Sequence, residues 1–295
     1  MKYTNTLETI GNTPLVELKK FSSSQVKIFA KLEGQNPSGS IKDRVALHMI
    51  ETAEKNGELT KDKTILEATS GNMGIALSMI GAYKGYEVNI VMSEAMSEER
   101  KKIMRGFGAK LIGTPKELGT AGAIQKVQEF LTENPAKFWF ANQFNNPANT
   151  EAHYLGTAPE ILQDLPKVDY IVAGGGTFGT ITGIAKKFRE ISPQTKIIGL
   201  LPEAGYKIQG IQNFKKDFHG DLLQTDLVDE FVEVSQREAF ETTREIAKKE
   251  GIFAGMSSGA NLFSALKLRE KIKEGNVVVI FPDRGEKYLS TPLFE

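Results

Sequence analysis

Lys42 stands in the stretch Pro37-Ser38-Gly39-Ser40-Ile41-Lys42-Asp43-Arg44. A lysine amine can attack a carbonyl and hold it as a Schiff base. A lysine early in a helix, however, is ordinarily a solvated surface residue whose charge opposes the helix dipole, so Lys42 alone carries no chemistry. Two strand-to-helix turns change its meaning. Gly174-Gly175-Gly176-Thr177-Phe178-Gly179-Thr180 lies between an expected strand at 169–173 and an expected helix at 181–190. Its glycines let backbone N–H groups approach a ligand closely, Thr177 and Thr180 add hydroxyls, and the helix start favours an anion, so the turn suits a phosphate. No lysine follows the last glycine, which excludes a Walker loop, and no acidic residue ends a following strand to hold a ribose.

The second turn, Thr69-Ser70-Gly71-Asn72-Met73-Gly74, joins a strand at 64–68 to a helix at 75–84. A helix cap needs one polar residue such as Asn72. This turn has three polar side chains and two glycines, a surplus that suits a small carboxylate at a helix N-terminus. An amine, an anion cradle and an amino-acid carboxylate site are together the parts that a pyridoxal phosphate (PLP) enzyme requires. A competing motif, Gly255-Met256-Ser257-Ser258-Gly259, matches the G-x-S-x-G nucleophile elbow of α/β-hydrolases. That fold needs a histidine downstream of the serine, and none follows His219, so Ser257 has no base in the expected order.

The elements that must position these turns alternate along the chain. Strands are expected at 26–32, 64–68, 86–92, 110–112, 138–140, 169–173, 196–200 and 277–281, and helices at 41–55, 75–84, 97–107, 121–131, 181–190, 237–250 and 258–273. Asn56-Gly57 and Gly251 are helix stops, and Ser235 is a helix cap. A crossover helix between successive strands is the signature of a parallel sheet covered on both faces, so the expected class is α/β, with two sheets in two lobes. The least regular stretch, 203–226, reads as a mobile loop.

Composition narrows the rest. At 295 residues the chain can bury a sizeable core, in one large domain or two ordinary ones. The 37 basic and 37 acidic residues cancel, which argues against nucleic acid or an anionic membrane as partner. No apolar run is long enough to span a bilayer, and Met1 to Asn5 lacks the apolar core of a signal peptide, so a cytoplasmic location is expected. With no cysteine there is no disulfide, thiol nucleophile or thiolate site, and His48, His153 and His219 sit in no ligand spacing, so no metal is expected.

Across essentially its whole length the sequence resembles the cysteine synthases (O-acetylserine sulfhydrylases) of the fold type II PLP enzymes. The resemblance is carried by Ile10-Gly11-Asn12-Thr13-Pro14-Leu15-Val16, by Asn36 to Arg44 around Lys42, by Thr69 to Gly74, by Gln143-Phe144-Asn145-Asn146-Pro147-Ala148-Asn149, by Glu250 to Gly255, and by Gly285-Glu286-Lys287-Tyr288-Leu289-Ser290-Thr291. Pro282 to Glu286 and the short C-terminus are closer to the B-type enzyme. The resemblance implies a two-lobed fold like that of the tryptophan synthase β subunit, each lobe a twisted, mostly parallel sheet flanked by helices. The smaller lobe, 36–145 with 1–12 packed against it, would move on substrate binding. The larger, 146–295 with 13–35, would carry the cofactor phosphate. A homodimer is also implied.

By position, the resemblance gives Lys42 two roles, holding PLP and moving the substrate α-proton. Gly176, Thr177, Phe178, Gly179 and Thr180 would surround the phosphate, Asn72 would bond the ring 3′-oxygen, and Ser257 would face the pyridine nitrogen. Thr69, Ser70, Gly71, Met73 and Gln143 would hold the substrate carboxylate, Met73 through its backbone N–H. The implied reaction is β-replacement on O-acetylserine by sulfide, or by thiosulfate as B-type enzymes accept. Homocysteine as acceptor, as in cystathionine β-synthase, and O-phosphoserine as donor are the alternatives, and Gln212 near the place of a relative's Arg weighs against the latter. Phe178 and Met73 depart from the usual family residues, Gly or Thr and Thr respectively.

Overall fold

The computed structural model describes residues 2–95, 97–216 and 220–295. They form two compact units, one made of Met1–Ile41 with Thr150–Glu295 and the other of Lys42–Asn149.

In chain order the first strands are β1 (Leu15–Glu17) and β2 (Val26–Leu32). Then come α1 (Lys42–Lys55), β3 (Thr64–Ala68), α2 (Asn72–Lys84), β4 (Val88–Ser93), α3 (Glu98–Gly106), β5 (Lys110–Thr114), α4 (Gly119–Glu133) and β6 (Phe138–Phe140). Helix α5 (Ala148–Ala152) runs through a π-helical turn, His153–Thr157, into α6 (Ala158–Asp164). The chain continues as β7 (Tyr170–Gly174), α7 (Gly179–Ile191), β8 (Lys196–Pro202), β9 (Glu230–Val234), α8 (Gln236–Glu250), α9 (Met256–Lys271) and β10 (Gly275–Phe281).

The smaller unit is built on a four-stranded sheet of order β5-β4-β3-β6, parallel throughout. Strand β3 is buried at all five positions, as a central strand covered on both faces must be. On one face Leu66, Ala68 and Val91 pack with Ala123 and Val127 of α4. On the other lies α2, a helix apolar all round and therefore buried. Its Gly81 sits where a Cβ would come 2.3 Å from Val88 Cγ2, so only glycine allows this approach of helix to strand.

The larger unit has a six-stranded sheet of order β1-β2-β10-β7-β8-β9. Only β1, paired with β2, is antiparallel. Strand β10 shows the period of two: Val277, Val279 and Phe281 join one core with residues of α8 and α9, while Val278 and Ile280 join another with residues of α6 and α7. Helix α8 is held at its start by a complete capping box between Ser235 and Glu238 and ends on Gly251 in the left-handed conformation.

Within the irregular 203–226 stretch, Ile208 and Ile211 are buried in the core rather than exposed in a loop. His219 lies outside the described residues.

Two of the sequence motifs turn out to be fastenings. Gly11 N–H donates to Asn36 Oδ1 (2.8 Å), Asn12 N–H to Glu160 Oε1 (2.9 Å) and Thr13 Oγ1 to Glu33 Oε1 (2.6 Å). The fully buried Lys31 amine bonds Thr13 O at 2.6 Å and pairs with Glu160 at 2.9 Å. These bonds tie the N-terminal segment down where it would otherwise fray. The motif around Lys287 braces the segment leading toward Lys42: Arg284 Nε donates to Gly34 O (2.7 Å), Lys287 Nζ to Gly39 O (3.0 Å) and Ile41 N–H to Pro282 O (2.8 Å).

Candidate active site

In the smaller unit, Lys42 is the first residue of α1 and is half-buried. Removal from water penalises the charged amine and lowers its pKa to about 8. At pH 7 roughly a tenth of such an amine is unprotonated, against roughly 3 in 10,000 at the ordinary lysine value, a gain of about 300-fold in nucleophile.

The polar turn follows β3. Its residues do not all stay in a loop, because α2 begins at Asn72, three residues earlier than the periodicity predicts. Gly71 is the N-cap and no side chain caps the helix, so the capping role open to Asn72 is not the one it has. Thr69 Oγ1 accepts from Gly71 N–H (3.3 Å), and Gly74 N–H donates to Gly71 O (3.1 Å). A Cβ on Gly71 would have nothing within 4 Å, so the turn is open to a ligand there. Met73 is buried, which leaves its thioether in the core and its backbone as the only group it can offer to a substrate.

Gln143 follows β6, the neighbour of β3, and the two strands are parallel, so Thr69 to Met73 and Gln143 emerge at the same end of the sheet. Ligands of open parallel sheets bind beyond that carboxyl end. The chain reaches Gln143 through Asn142, a non-glycine residue in the left-handed region at φ 52°. Gln143 is held through its backbone from two sides. Its N–H points at Glu67 Oε2 (3.3 Å) and its carbonyl accepts from Asn149 Nδ2 (2.7 Å). Glu67 is 1% exposed on β3, and burial pushes its carboxyl up to about 8 against the pull of N–H donors from Gln143, Asn142 and Ala68.

The glycine-rich turn belongs to the larger unit. Helix α7 begins at Gly179, so Thr180 lies in its first turn, and Phe178 is the N-cap in the left-handed conformation (φ 64°). The Phe178 ring is buried and meets Phe214 edge-on at 5.9 Å. No side chain caps α7. The turn is tight, for a Cβ on Gly176 would lie 2.8 Å from Gly210 O, a backbone atom that cannot easily give way. Asn261 of α9 fastens the turn to the sheet: its Oδ1 accepts from Gly174 N–H (2.8 Å) and its Nδ2 donates to Ile280 O (2.7 Å). Thr180 Oγ1 is hydrogen-bonded to His153 Nε2 (3.1 Å), whose Nδ1 is bonded to Thr157 Oγ1 (3.0 Å).

Ser257 is buried in the first turn of α9, whose N-cap is Gly255. No strand leads into it, unlike a nucleophile elbow. The Ser257 hydroxyl is 3.9 Å from where a Cβ on Gly210 would sit, so Gly210 is a neighbour of both the glycine turn and Ser257.

Three residues of these sites were not singled out by the sequence for a role. Glu67 had one available signal, a lone carboxyl in the otherwise uncharged strand Thr64-Ile65-Leu66-Glu67-Ala68 just before a polar turn. Asn261 had none, because its partners Gly174 and Ile280 are distant in the chain, and His153 had none for its bond to Thr180, 27 residues away.

Comparison with known proteins adds to this geometry. The model of a family described as pyridoxal-phosphate dependent enzyme matches residues 6–283. Cysteine synthase B of Escherichia coli strain K12 is 45% identical over 293 residues, covering 98% of this chain and 96% of the relative. A cysteine synthase of a Flavobacterium species is 47% identical over 263 residues, 86% of this chain and 85% of its own. The crystal structure of a cysteine synthase from Entamoeba histolytica superposes with a TM-score of 0.95 at 42% identity, covering 100% of this chain and 91% of that one. Likeness of this extent in sequence and fold together places the chain in the pyridoxal-phosphate dependent enzyme family, among its cysteine synthases.

Proposed function

We propose that the chain makes cysteine by β-replacement: O-acetyl-L-serine and sulfide give L-cysteine and acetate. The observation that carries this reading is the Lys42 amine, brought down to about 8 by burial in the same unit as a polar, uncapped turn fit for a carboxylate. The residues also fit the family's cofactor. An amine with a lowered pKa can hold its carbonyl carbon, and the Gly176 turn leads into the start of α7, where no side chain caps the helix. When bound, PLP supplies the electron sink that makes the substrate α-proton removable.

The chain's own residues would do the rest. Lys42 would hold the cofactor and then carry the α-proton at Nζ. Thr69, Ser70, Gly71, the Met73 backbone and Gln143 would hold and orient the substrate carboxylate. Asn72 would bond the cofactor ring oxygen, and Gly176, Thr177, Phe178, Gly179 and Thr180 its phosphate, at the uncapped start of α7. Ser257 would offer the ring nitrogen a neutral hydroxyl. Unlike a carboxylate, that group does not hold the nitrogen protonated, which keeps carbanion character low and favours loss of the β-acetoxy group over transamination.

The same reading takes thiosulfate as a second sulfur donor, a homodimer as the working form, and a cytosolic setting. A chain without cysteine has no need of a disulfide-forming compartment. Homocysteine and O-phosphoserine are less well supported.

The test is direct. The purified protein is expected to be yellow, to bleach with borohydride, and to change its visible absorbance when O-acetylserine is added. Sulfide, thiosulfate and homocysteine are then supplied in turn and the products quantified, with sulfide expected to be fastest. A colourless protein, or one that ignores O-acetylserine, overturns the reading.

A further inference from the structure

His153 is a fully buried, titratable side chain to which the proposed chemistry gives no task. It opens the π-helical turn between α5 and α6, an irregularity frequent at functional sites. That turn lies hard against α7. A Cβ on Gly183 would come 2.8 Å from His153 Cβ and closer still to Thr150 O, so glycine is what lets the two segments meet. The approach brings the imidazole to the first turn of α7, where its Nε2 is 3.1 Å from Thr180 Oγ1. At the far end of the π-helical turn, Thr157 Oγ1 stands 3.0 Å from Nδ1. The ring is thus held between two hydroxyls, one of them belonging to the proposed phosphate site.

A neutral imidazole has one N–H and one bare nitrogen, and the partner of each nitrogen decides which is which. A threonine hydroxyl has a single hydrogen. If Thr180 gives it to His153, the oxygen can present only lone pairs to a phosphate, and the anion is repelled. If His153 donates from Nε2, Thr180 Oγ1 accepts and its own hydrogen is released toward the anion. Thr157 makes the second arrangement available, because its hydroxyl can donate to Nδ1 and leave the ring hydrogen on Nε2. We propose that His153 is a positioning residue for the cofactor phosphate: protonated at Nε2, it turns the Thr180 hydroxyl so that the hydroxyl hydrogen faces the phosphate at the start of α7. This rests on the reading given above, in which Thr180 is a phosphate ligand. His153 acts through Thr180 and not by contact with the cofactor.

The experiment has two readouts. The chain has only three histidines, His48, His153 and His219, so nitrogen NMR of the holoenzyme labelled at histidine gives a spectrum simple enough to assign. The His153 signals are those lost in His153→Phe, and Nε2 is expected to carry a hydrogen; a bare Nε2 overturns the inference. The second readout is affinity, measured by titrating protein stripped of cofactor with PLP and with pyridoxal, which has the same ring and aldehyde but no phosphate. His153→Phe is expected to raise the Kd for PLP about tenfold, the size of one lost hydrogen bond to a charged group. The Kd for pyridoxal should stay within about twofold, which a merely structural role would not predict. In the Thr180→Val background the same change should add less than about twofold, because the effect passes through Thr180. Equal weakening of both ligands, or effects that multiply in the double variant, would overturn the inference. If His153→Phe does not fold, the signals are assigned by elimination from His48→Gln and His219→Gln, and the hydrogen on Nε2 still decides. A wild type that takes up no PLP overturns the cofactor reading itself, whereas one that binds PLP with Nε2 bare overturns only the role of His153.

Discussion

At the scale of single residues, Lys42 illustrates how environment changes an ordinary side chain, raising the share of unprotonated amine. Its amine is lowered to about 8 by burial, and this makes a sharp test possible. On the proposed roles of Lys42 as cofactor anchor and proton carrier, Lys42→Ala is expected to lower turnover by at least about a thousandfold. The far-ultraviolet circular dichroism should be unchanged, because alanine is a good helix former at the head of α1. Retained turnover would exclude Lys42 as the base. The candidate site residues legible in the sequence were those set in turns with an excess of donors, Thr69 to Gly74 and Gly174 to Thr180. Glu67 and His153 were not legible as partners, since their meaning comes from bonds to Gln143 and Thr180, 76 and 27 residues away.

At the scale of elements, the alternating pattern located the strands of both sheets except β1 and β9, and the helices except α5 and α6. Strand β1 has only three residues, and β9 (Glu230-Phe231-Val232-Glu233-Val234) follows a stretch without periodicity. The α5–α6 segment is interrupted by a π-helical turn and carries Gly156 and Pro159, which erase a 3.6-residue period. The other difference is systematic. Helices α2, α7 and α9 all begin two or three residues before the apolar pattern does, at Asn72, Gly179 and Met256. Their first turns are polar or glycine-rich, and apolar periodicity cannot register them. By contrast α8 is capped from within its own sequence, Ser235 Oγ accepting from Glu238 N–H (3.2 Å) and Glu238 Oε2 from Ser235 N–H (2.9 Å). Ser235→Ala is therefore expected to cost about 1 kcal/mol. That corresponds to a melting temperature lower by roughly 2–4 °C, with turnover per folded molecule unchanged, measured by thermal denaturation beside a product assay. A shift below about half a degree would mean the cap is replaced by water.

At the scale of the whole molecule, basic and acidic residues balance at 37 each, so general charge repulsion changes little near neutrality. Two groups, the buried Glu67 and the half-buried Lys42, then stand out in the pH dependence of stability, and they act in opposite directions. Glu67 has a folded pKa of about 8 against an ordinary 4.5. Between those values the unfolded chain has lost the proton that the folded chain keeps, so stability falls as pH rises through that window. Lys42, in the cofactor-free protein, has a folded pKa of about 8 against 10.5. From 8 upward the unfolded chain holds the extra proton, so stability rises with pH until about 10.5. The carboxylates held below their ordinary range, Glu54 beside Lys84 and Asp229 beside Arg189, lose their contribution only at more acid pH and leave this window undisturbed. The cofactor-free protein is therefore expected to have a shallow stability minimum near pH 8, with flanks on the order of a few kcal/mol. Urea midpoints measured from pH 5 to 10 would show it. Glu67→Gln should flatten the acid flank and Lys42→Met the alkaline one, and on the proposed role of Lys42 the alkaline flank should vanish in the holoenzyme, where it would no longer be a free amine. A wild-type profile that rises steadily from pH 5 to 8 and is unaltered by Glu67→Gln would show that Glu67 is ionised in the folded chain.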